Sequence, residues 1–192
     1  MTSARMAPYD DSVRLVVPDA QNLAGFEAAL AAGWPPNPRR AQDETYIRST
    51  LQELRKDRLE FLANLTRSAE PGFINRLFWI WDVEFCGNIV LRFRPGTEEL
   101  PSSVAGHVGY SVVPWKQGKG YAKSALRLLT DVAREEGLGR LLILCNEENH
   151  ASRRVIEANG GQLFLTASHP SDRPEQMKHH FWLDVRKSAE AV

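Results

Sequence analysis

The spacing of hydrophobic positions changes several times along the chain, and each change predicts a boundary between a helix and a strand. Short β-branched or aromatic runs predict seven strands, Val13–Val17, Leu77–Glu84, Asn88–Phe93, His107–Val113, Arg140–Cys145, Gln162–Ala167 and Phe181–Val185. Apolar residues at helical spacing predict four helices, which follow Asp19, Asp43, Gly120 and Asn149. This order predicts an α/β (α+β) fold, with a mixed, mostly antiparallel sheet of about seven strands flanked by four helices.

Two local predictions concern the middle of the chain. The apolar stripe from Ile47 to Leu65 predicts one long helix that Asp43 caps and that Pro71 and Gly72 end. The aromatic segment after it is interrupted near Cys86 and Gly87, which predicts a tight hairpin turn there.

The length of 192 residues suits one domain. We expect a flexible N-terminus over residues 1–11, a single domain over residues 12–187 and a C-terminal tail over residues 188–192. The first twenty residues lack a signal-peptide pattern, Cys86 and Cys145 have no CxxC spacing, and the apolar runs are too short for a bilayer. These features predict a cytoplasmic protein without a membrane span.

Charge and histidine spacing narrow the possible partners. The chain carries 24 basic and 24 acidic side chains, so nucleic acid is not an expected partner. His169, Asp172, His179 and His180 match no zinc-binding spacing. We therefore expect a solvated loop there and no metal.

Candidate chemistry is concentrated in residues 106–122, which read GHVGYSVVPWKQGKGYA and join a strand, a glycine-rich loop and a helix. This order presents backbone N–H groups to a phosphate. A P-loop fails, because it needs glycine at Val113 and Ser or Thr at Gly120. A dinucleotide fingerprint is weak, because it needs glycine at Lys123. The pattern Q/R-x-x-G-x-G/A fits at every fixed position, which are Gln117, Gly120 and Ala122.

That third pattern is the coenzyme A pyrophosphate loop of the GNAT acetyltransferases, and the chain resembles this family from Val13 to Val185. Asn149, followed by Ser152 and by a helix that ends at Gly160, resembles a second motif of the family. The resemblance implies the GNAT acyl-CoA N-acyltransferase fold and acetyl-CoA as cosubstrate. The acceptor is then a small-molecule or peptide amine, and the protein a monomer or homodimer.

The resemblance also implies which residues bind the cofactor. The backbone of Ser111, Val112 and Val113 would pair with the pantetheine arm, and the N–H near Val112 would stabilise the oxyanion. Glycines lack Cβ atoms, so the backbone of the loop can approach a pyrophosphate closely. The loop positions are Lys116, Gln117, Gly118, Lys119, Gly120, Tyr121 and Ala122, with the two lysines as mobile positive charges.

Three further cofactor positions lie in the second motif. Asn149 would hydrogen-bond the amide arm of the cofactor, with Ser152 and Arg153 close to it. Asn149 can also be a simple helix N-cap, and the two roles are compatible.

Catalytic residues are less well defined. Many family members have a tyrosine general acid where this chain has Ile156, which cannot donate a proton. Tyr110 and Tyr121 are nearby candidates, although packing explains Tyr110 equally well. Glu84 and His107 are candidate bases that we expect to face the cleft. The prediction is direct acetyl transfer to a primary amine in a ternary complex, and its alternative is a coenzyme A binding module with weak or no catalysis.

Overall fold

The computed structural model describes residues 12–37, 40, 43–68, 70–101, 103–168 and 176–186. The predicted flexible N-terminus, the C-terminal tail, His169 and Asp172 lie outside the described residues. The strands are β1 (Arg14–Val16), β2 (Ile74–Trp81), β3 (Phe85–Phe93), β4 (Val108–Val112), β5 (Arg140–Asn146), β6 (Gln162–Ser168) and β7 (Met177–Asp184). The helices are α1 (Leu23–Ala31), α2 (Glu44–Lys56), α3 (Arg58–Leu65), α4 (Tyr121–Glu135) and α5 (His150–Ala158).

The strands form two antiparallel sheets. The first has the order β1-β2-β3-β4, and the second has the order β5-β7-β6. β4 and β5 meet only near His107, whose N–H donates to the Leu142 carbonyl (2.7 Å) and whose Nδ1 accepts from the Leu142 N–H (2.9 Å). Beyond this point the two strands share no ladder among the described residues, so a gap opens between the sheets.

Two hydrophobic cores lie on opposite faces of the first sheet. Because side chains alternate along a strand, Ile80 of β2 belongs to the core beneath α4 while its neighbour Trp79 belongs to the core beneath α1–α3. α4 buries an apolar face that includes Leu126 and Leu129. In the second core, the ring of Phe26 stacks on Trp79 at 5.4 Å between centroids.

The seven strands and the fold class agree with the sequence prediction, but several boundaries do not. The solvated loop predicted at His179 and His180 is wrong, since both residues are buried in β7, which begins at Met177. The predicted hairpin turn at Cys86 and Gly87 is wrong, since both residues belong to β3. A Cβ at position 87 would lie 2.2 Å from the Ser111 carbonyl oxygen, so this glycine allows close pairing with β4. The turn lies instead at residues 82–84, where the Asp82 carboxylate accepts from the N–H groups of Val83 and Glu84.

The single long helix predicted after Asp43 is two helices, giving five in the described chain instead of four. Asp57 has an extended backbone (φ −151°, ψ 102°) and ends α2. Its carboxylate accepts from the N–H groups of Leu59 and Glu60 and so caps α3. The break turns α3 along the rim of the cleft described below. None of the helices in the described ranges is long and apolar enough to cross a bilayer.

Candidate active site

A cleft of about 1460 Å³ lies between α2 and α3 on one side and β3, β4, β5 and α5 on the other. It reaches the gap between the two sheets, where Tyr110 of β4 and Ser152 of α5 line it. The outer wall carries the polar side chains of α2 and α3, which are Asp43, Tyr46, Thr50, Glu53, Lys56, Asp57, Glu60 and Asn64.

The gap exposes one edge of β4. The N–H of Val113 donates to the Cys86 carbonyl of β3 (3.0 Å). Successive residues of a strand direct their N–H and carbonyl groups to opposite edges, so those of Val112 point away from β3 and toward the gap. The Gln117 side-chain amide donates to the Val112 carbonyl (3.0 Å), while the Ser111 hydroxyl accepts from the Trp34 indole N–H (3.0 Å). Of the three predicted positions, only Val112 therefore directs its N–H to the gap, its carbonyl being bonded by Gln117, while Ser111 and Val113 direct their backbone groups toward β3.

The loop that follows β4 is shaped by two glycines. A short 3-10 helix, Pro114–Lys116, leads into Gly118 (φ 75°) and Gly120 (φ 89°), and Gly120 is the N-cap of α4. The N–H groups of the first helical turn have no acceptor within the helix, and they form its positive end. A Cβ added at either glycine would meet nothing within 4 Å, so the space in front of the loop is open. This geometry suits a bound anion.

Lys116 and Tyr121 do not lie where the sequence predicted them. Lys116 is not a mobile charge, because its ammonium is ion-paired with Asp82 (2.9 Å) and Glu84 (2.8 Å) and its side chain is 12% exposed. The Tyr121 hydroxyl also donates to Asp82. Both side chains thus point beneath the loop, and of the two lysines only Lys119 remains exposed on it.

The contacts among Asp82, Tyr121 and Lys116 determine their protonation states. Burial opposes the charge on Asp82, but hydrogen bonds from Tyr121, the Glu84 backbone and Lys116 hold the pKa of its carboxyl well below the usual range. The hydrogen bond to Asp82, together with burial, raises the pKa of Tyr121 to about 12. Hydrogen bonds to Glu84 and Asp82 raise the pKa of Lys116. Lys116 and Asp82 are therefore fully charged at neutral pH, and Tyr121 keeps its proton.

A second polar group lies at the opposite side of the gap. The Tyr110 hydroxyl is 2.7 Å from the Ser152 hydroxyl, and burial raises the pKa of Tyr110. Asn149 caps α5 by accepting from the Ser152 N–H (2.9 Å), so the N-cap reading of Asn149 is correct, and the residue also lines the cleft. Cys145, which the sequence did not single out for chemistry, lines the cleft beside them. Arg153 instead pairs with Glu157 on the surface of α5 (2.7 Å).

Neither candidate base faces the cleft as expected. His107 is fully buried at the junction of β4 and β5, where burial lowers its pKa to about 4 and its Nδ1 accepts from Leu142. Glu84 lies in the β2–β3 turn and pairs with Lys116 instead of lining the cleft. Ile156, at the position where many family members have a tyrosine, is buried in the core beneath α4.

Sequence reasoning missed Asp82 and the polar wall of α2 and α3. Asp82 is 34 residues from Lys116 and 39 from Tyr121, so no local spacing connects them. Its role in a turn was detectable from its position between two aromatic strands. Within the described ranges, no group of three or more His, Cys, Asp or Glu side chains could hold a metal ion.

Comparison with solved structures identifies the fold. RimL, the ribosomal L7/L12 alpha-N-protein acetyltransferase in complex with coenzyme A, is 17% identical, with a TM-score of 0.62 over 93% of this chain and 98% of that chain. The microcin C7 self-immunity acetyltransferase MccE, in complex with acetyl-CoA and AMP, is 14% identical, with a TM-score of 0.55 over 91% and 93%. A chimera of the spermidine N-acetyltransferase SpeG from Vibrio cholerae and hSSAT is 12% identical, with a TM-score of 0.58 over 91% and 96%.

At these identities the structures establish a shared fold and nothing about the acceptor. A search of curated proteins found no match to the sequence. The family model described as the acetyltransferase (GNAT) domain, however, matches residues 13–162, which is most of the chain. The chain therefore belongs to the GNAT family of acetyl-CoA-dependent N-acetyltransferases.

Proposed function

We propose that this protein transfers the acetyl group of acetyl-CoA to a primary amine by direct attack in a ternary complex. One observation carries the proposal: the open edge of β4 at Val112 and the Tyr110–Ser152 pair both face the gap between the two sheets, and the glycine loop continues directly from β4 into α4. Each supplies one of the groups that acyl transfer requires, namely an oxyanion donor, a cofactor site and a proton donor.

Backbone groups on the cofactor side of the gap would bind coenzyme A. The N–H groups around Gly118, Gly120 and Ala122 would hold the pyrophosphate at the positive end of α4, with Lys119 as the nearby exposed cation. The open edge of β4 would pair with the pantetheine arm through the N–H of Val112, as an added strand does, because the N–H of Val113 is already bonded to β3. Asn149 keeps its side-chain NH₂ as a donor for the amide arm while its oxygen caps α5.

The bond changes define what the remaining residues must do. The C–N bond forms as the amine attacks the thioester carbonyl, and the Val112 N–H stabilises the negative charge that develops on the oxygen. The C–S bond then breaks, and the thiolate takes a proton from Ser152, which takes one from Tyr110. The amine nitrogen loses a proton to water in the cleft, and that proton returns through water to Tyr110. The Tyr110 hydroxyl is protonated at neutral pH and burial raises its pKa further, so it releases its proton only as the thiolate forms.

The size of the cleft bears on the acceptor. Sites for drug-sized ligands measure about 300–1,000 Å³, and this cleft of about 1460 Å³ is larger, so it could hold both an acceptor and the thioester end of the cofactor. We propose an acceptor amine on a peptide or on a small molecule, with the wall of α2 and α3 as its binding surface. We further propose that the protein acts in the cytoplasm as a monomer or homodimer.

The alternative is a coenzyme A binding module with weak or no catalysis. The observation that favours it is Ile156, which is buried in the core at the position where many family members have a tyrosine acid. Thiol release from acetyl-CoA, measured across a panel of polyamines, amino sugars and short peptides, separates the two proposals. We expect release above the hydrolysis rate for at least one amine, whereas coenzyme A binding without turnover on any amine would favour the module.

Variants of the proton-donating pair test the mechanism within the same assay. Tyr110→Phe and Ser152→Ala should each lower kcat by about 10²-fold, the usual contribution of general acid catalysis, with little change in KM for acetyl-CoA. Thr130→Ala is a matched control, because it removes a hydroxyl that bonds only the Arg127 carbonyl on α4 (2.6 Å) and should leave kcat unchanged. Equal activity in all four proteins would remove the pair from the mechanism.

A further inference from the structure

Asp82 contacts both ends of the glycine loop although it belongs to neither β4 nor α4. Its Oδ2 accepts from Lys116 Nζ (2.9 Å) and from the Tyr121 hydroxyl, and these two residues flank residues 117–120 of the loop. Between these two side chains lie only residues 117–120, which include both glycines with positive φ. One carboxylate oxygen therefore links the two points at which the loop begins and ends.

The other oxygen of the same carboxylate fixes Asp82 itself. Oδ1 accepts from the N–H groups of Val83 and Glu84, and the Asp82 N–H donates to the Glu84 carbonyl (3.2 Å). The side chain is 9% exposed, so solvent competes little for these bonds. The β2–β3 turn thus holds the carboxylate in place, and the carboxylate holds the loop.

We propose that Asp82 is a positioning residue for the cofactor, which it serves by fixing Lys116 and Tyr121 so that the loop N–H groups are arranged for the pyrophosphate before it binds. The inference rests on the proposed function, because it takes the loop to be the pyrophosphate site. Glycines with positive φ are mobile in an unrestrained chain, and ordering them on binding would lower the affinity. A loop fixed at both ends avoids most of that loss.

If only the charge of Asp82 mattered, its removal would have the opposite effect on coenzyme A binding, so an experiment can distinguish the two explanations. Asp82 and Glu84 are two carboxylates against the single ammonium of Lys116, so this cluster repels a polyanion. If Asp82 acted only through its charge, neutralising it would tighten the binding of coenzyme A. If it acts by positioning, the same change weakens binding.

The test is Asp82→Asn in the full chain, measured by calorimetry with two probes that carry the pyrophosphate, coenzyme A and 3′-phosphoadenosine 5′-diphosphate. The amide keeps Oδ1 for the turn but offers no acceptor at the position of Oδ2, so two charge-assisted bonds are lost. We expect Kd to rise about tenfold for both probes, equivalent to ~1.4 kcal/mol. Hydrogen exchange of the amides in residues 117–121 should become faster, while exchange in β2 and β3 stays unchanged.

Asp184→Asn is the matched control, because Asp184 also accepts from a backbone N–H two residues later (2.9 Å) and pairs with Arg186, but on the exposed end of β7. It should leave Kd for coenzyme A within twofold of the wild type. Tyr121→Phe, which removes one of the two bonds without changing charge, should raise Kd about threefold and covers the case in which Asp82→Asn does not fold.

The outcomes distinguish a failure of the proposed function from a failure of the positioning role of Asp82. A wild-type protein that does not bind coenzyme A contradicts the proposed function. A wild-type protein that binds it, together with an Asp82→Asn variant that binds equally well or more tightly, overturns the positioning role alone. Weaker binding by Asp82→Asn and Tyr121→Phe, with Asp184→Asn unchanged, supports it.

Discussion

The two halves of the proposed site are built in different ways. The proposed cofactor side is one continuous stretch, from β4 through the glycine loop to the first turn of α4, and it presents backbone groups. The proposed acceptor side is the cleft itself, which side chains from α2, α3, β3 and β7, far apart in the sequence, line. A backbone site needs glycines at fixed spacing, whereas a side-chain site tolerates many residue types, so only the first leaves a motif in the sequence.

The two sides also rest on different cores and carry their charge in different forms. α4 packs in the larger core with β5 and α5, while α1–α3 pack around Phe26 and Trp79 in the second. The cofactor side ends in a positive helix terminus, whereas, among the described residues, four carboxylates and four cationic side chains line the cleft beside α2 and α3. We therefore expect changes on one side to leave the other side largely intact, and Gly120→Glu and Trp34→Phe, each with its control, test this independence.

The largest effect is expected on the cofactor side, from Gly120→Glu. A side chain at Gly120 would project into the open space in front of the loop, and its carboxylate would repel the pyrophosphate. We expect coenzyme A affinity to fall roughly a thousandfold, or ~4 kcal/mol. Calorimetry with coenzyme A measures the loss, and circular dichroism reports whether the fold is retained.

Gly137→Glu is the control for backbone strain. Gly137 has φ 83°, close to the φ of 89° at Gly120, but it follows the other end of α4. Both variants should lose about 1–2 kcal/mol of unfolding free energy from the left-handed conformation. Gly137→Glu should bind coenzyme A normally, and equal loss of affinity in the two proteins would show that strain, not the pyrophosphate site, explains the effect.

The same contrast explains how much the sequence could predict. The strand order, α4 and the fixed positions of the loop follow from local spacing, because each depends on neighbours within a few residues. The partners of Lys116 do not, because Asp82 reaches it only after β2 and β3 have paired. Sequence reasoning accordingly placed Lys116 with the phosphates, where the folded protein has an ion pair.

Two errors in the predicted fold could have been avoided, because the sequence contains signals for the correct boundaries. Asp57 is followed three residues later by Glu60. Acidic residues at this spacing favour the N-cap and the first turn of a helix, and α3 begins at Arg58. Asp82 likewise marks the hairpin turn that we assigned to Cys86 and Gly87. The burial of His107 left no such signal, because a histidine at the start of a strand fits a cleft and a strand junction equally well.

His107 joins the two sheets at the closed end of the gap, and its stability contribution should depend on pH. Burial lowers its pKa to about 4, below the value of about 6.5 expected in the unfolded chain. Between these values the unfolded state binds more protons, so the unfolding free energy contributed by His107 falls as the pH falls from 6.5 to 4. The full loss is roughly 3 kcal/mol, or about 1.4 kcal/mol per pH unit.

Urea unfolding of the wild type and of His107→Gln at several pH values measures this contribution. The variant also leaves the Leu142 N–H without its Nδ1 acceptor, so it should be less stable at pH 7. We expect the difference between the two proteins to be largest at pH 7 and to shrink by roughly 3 kcal/mol toward pH 4. A difference that stays constant with pH would mean that His107 is protonated equally in both states.

The smallest effect should come from the contact that joins the two sides. The Trp34 indole N–H, at the end of α1, donates to the Ser111 hydroxyl on β4, and its ring packs against Phe85 at 5.3 Å between centroids. Trp34→Phe removes the bond and part of the ring, so we expect a loss of about 2 kcal/mol in unfolding free energy. Coenzyme A affinity should stay within twofold, because Val112 presents its backbone and not its side chain.

Trp81→Phe is a matched control, since Trp81 also contacts Phe85 but is only partly buried, and it should lower the unfolding free energy by less. If Trp34→Phe instead weakens coenzyme A binding by more than fivefold, while Trp81→Phe does not, the acceptor side positions β4 and the two sides are coupled through Ser111.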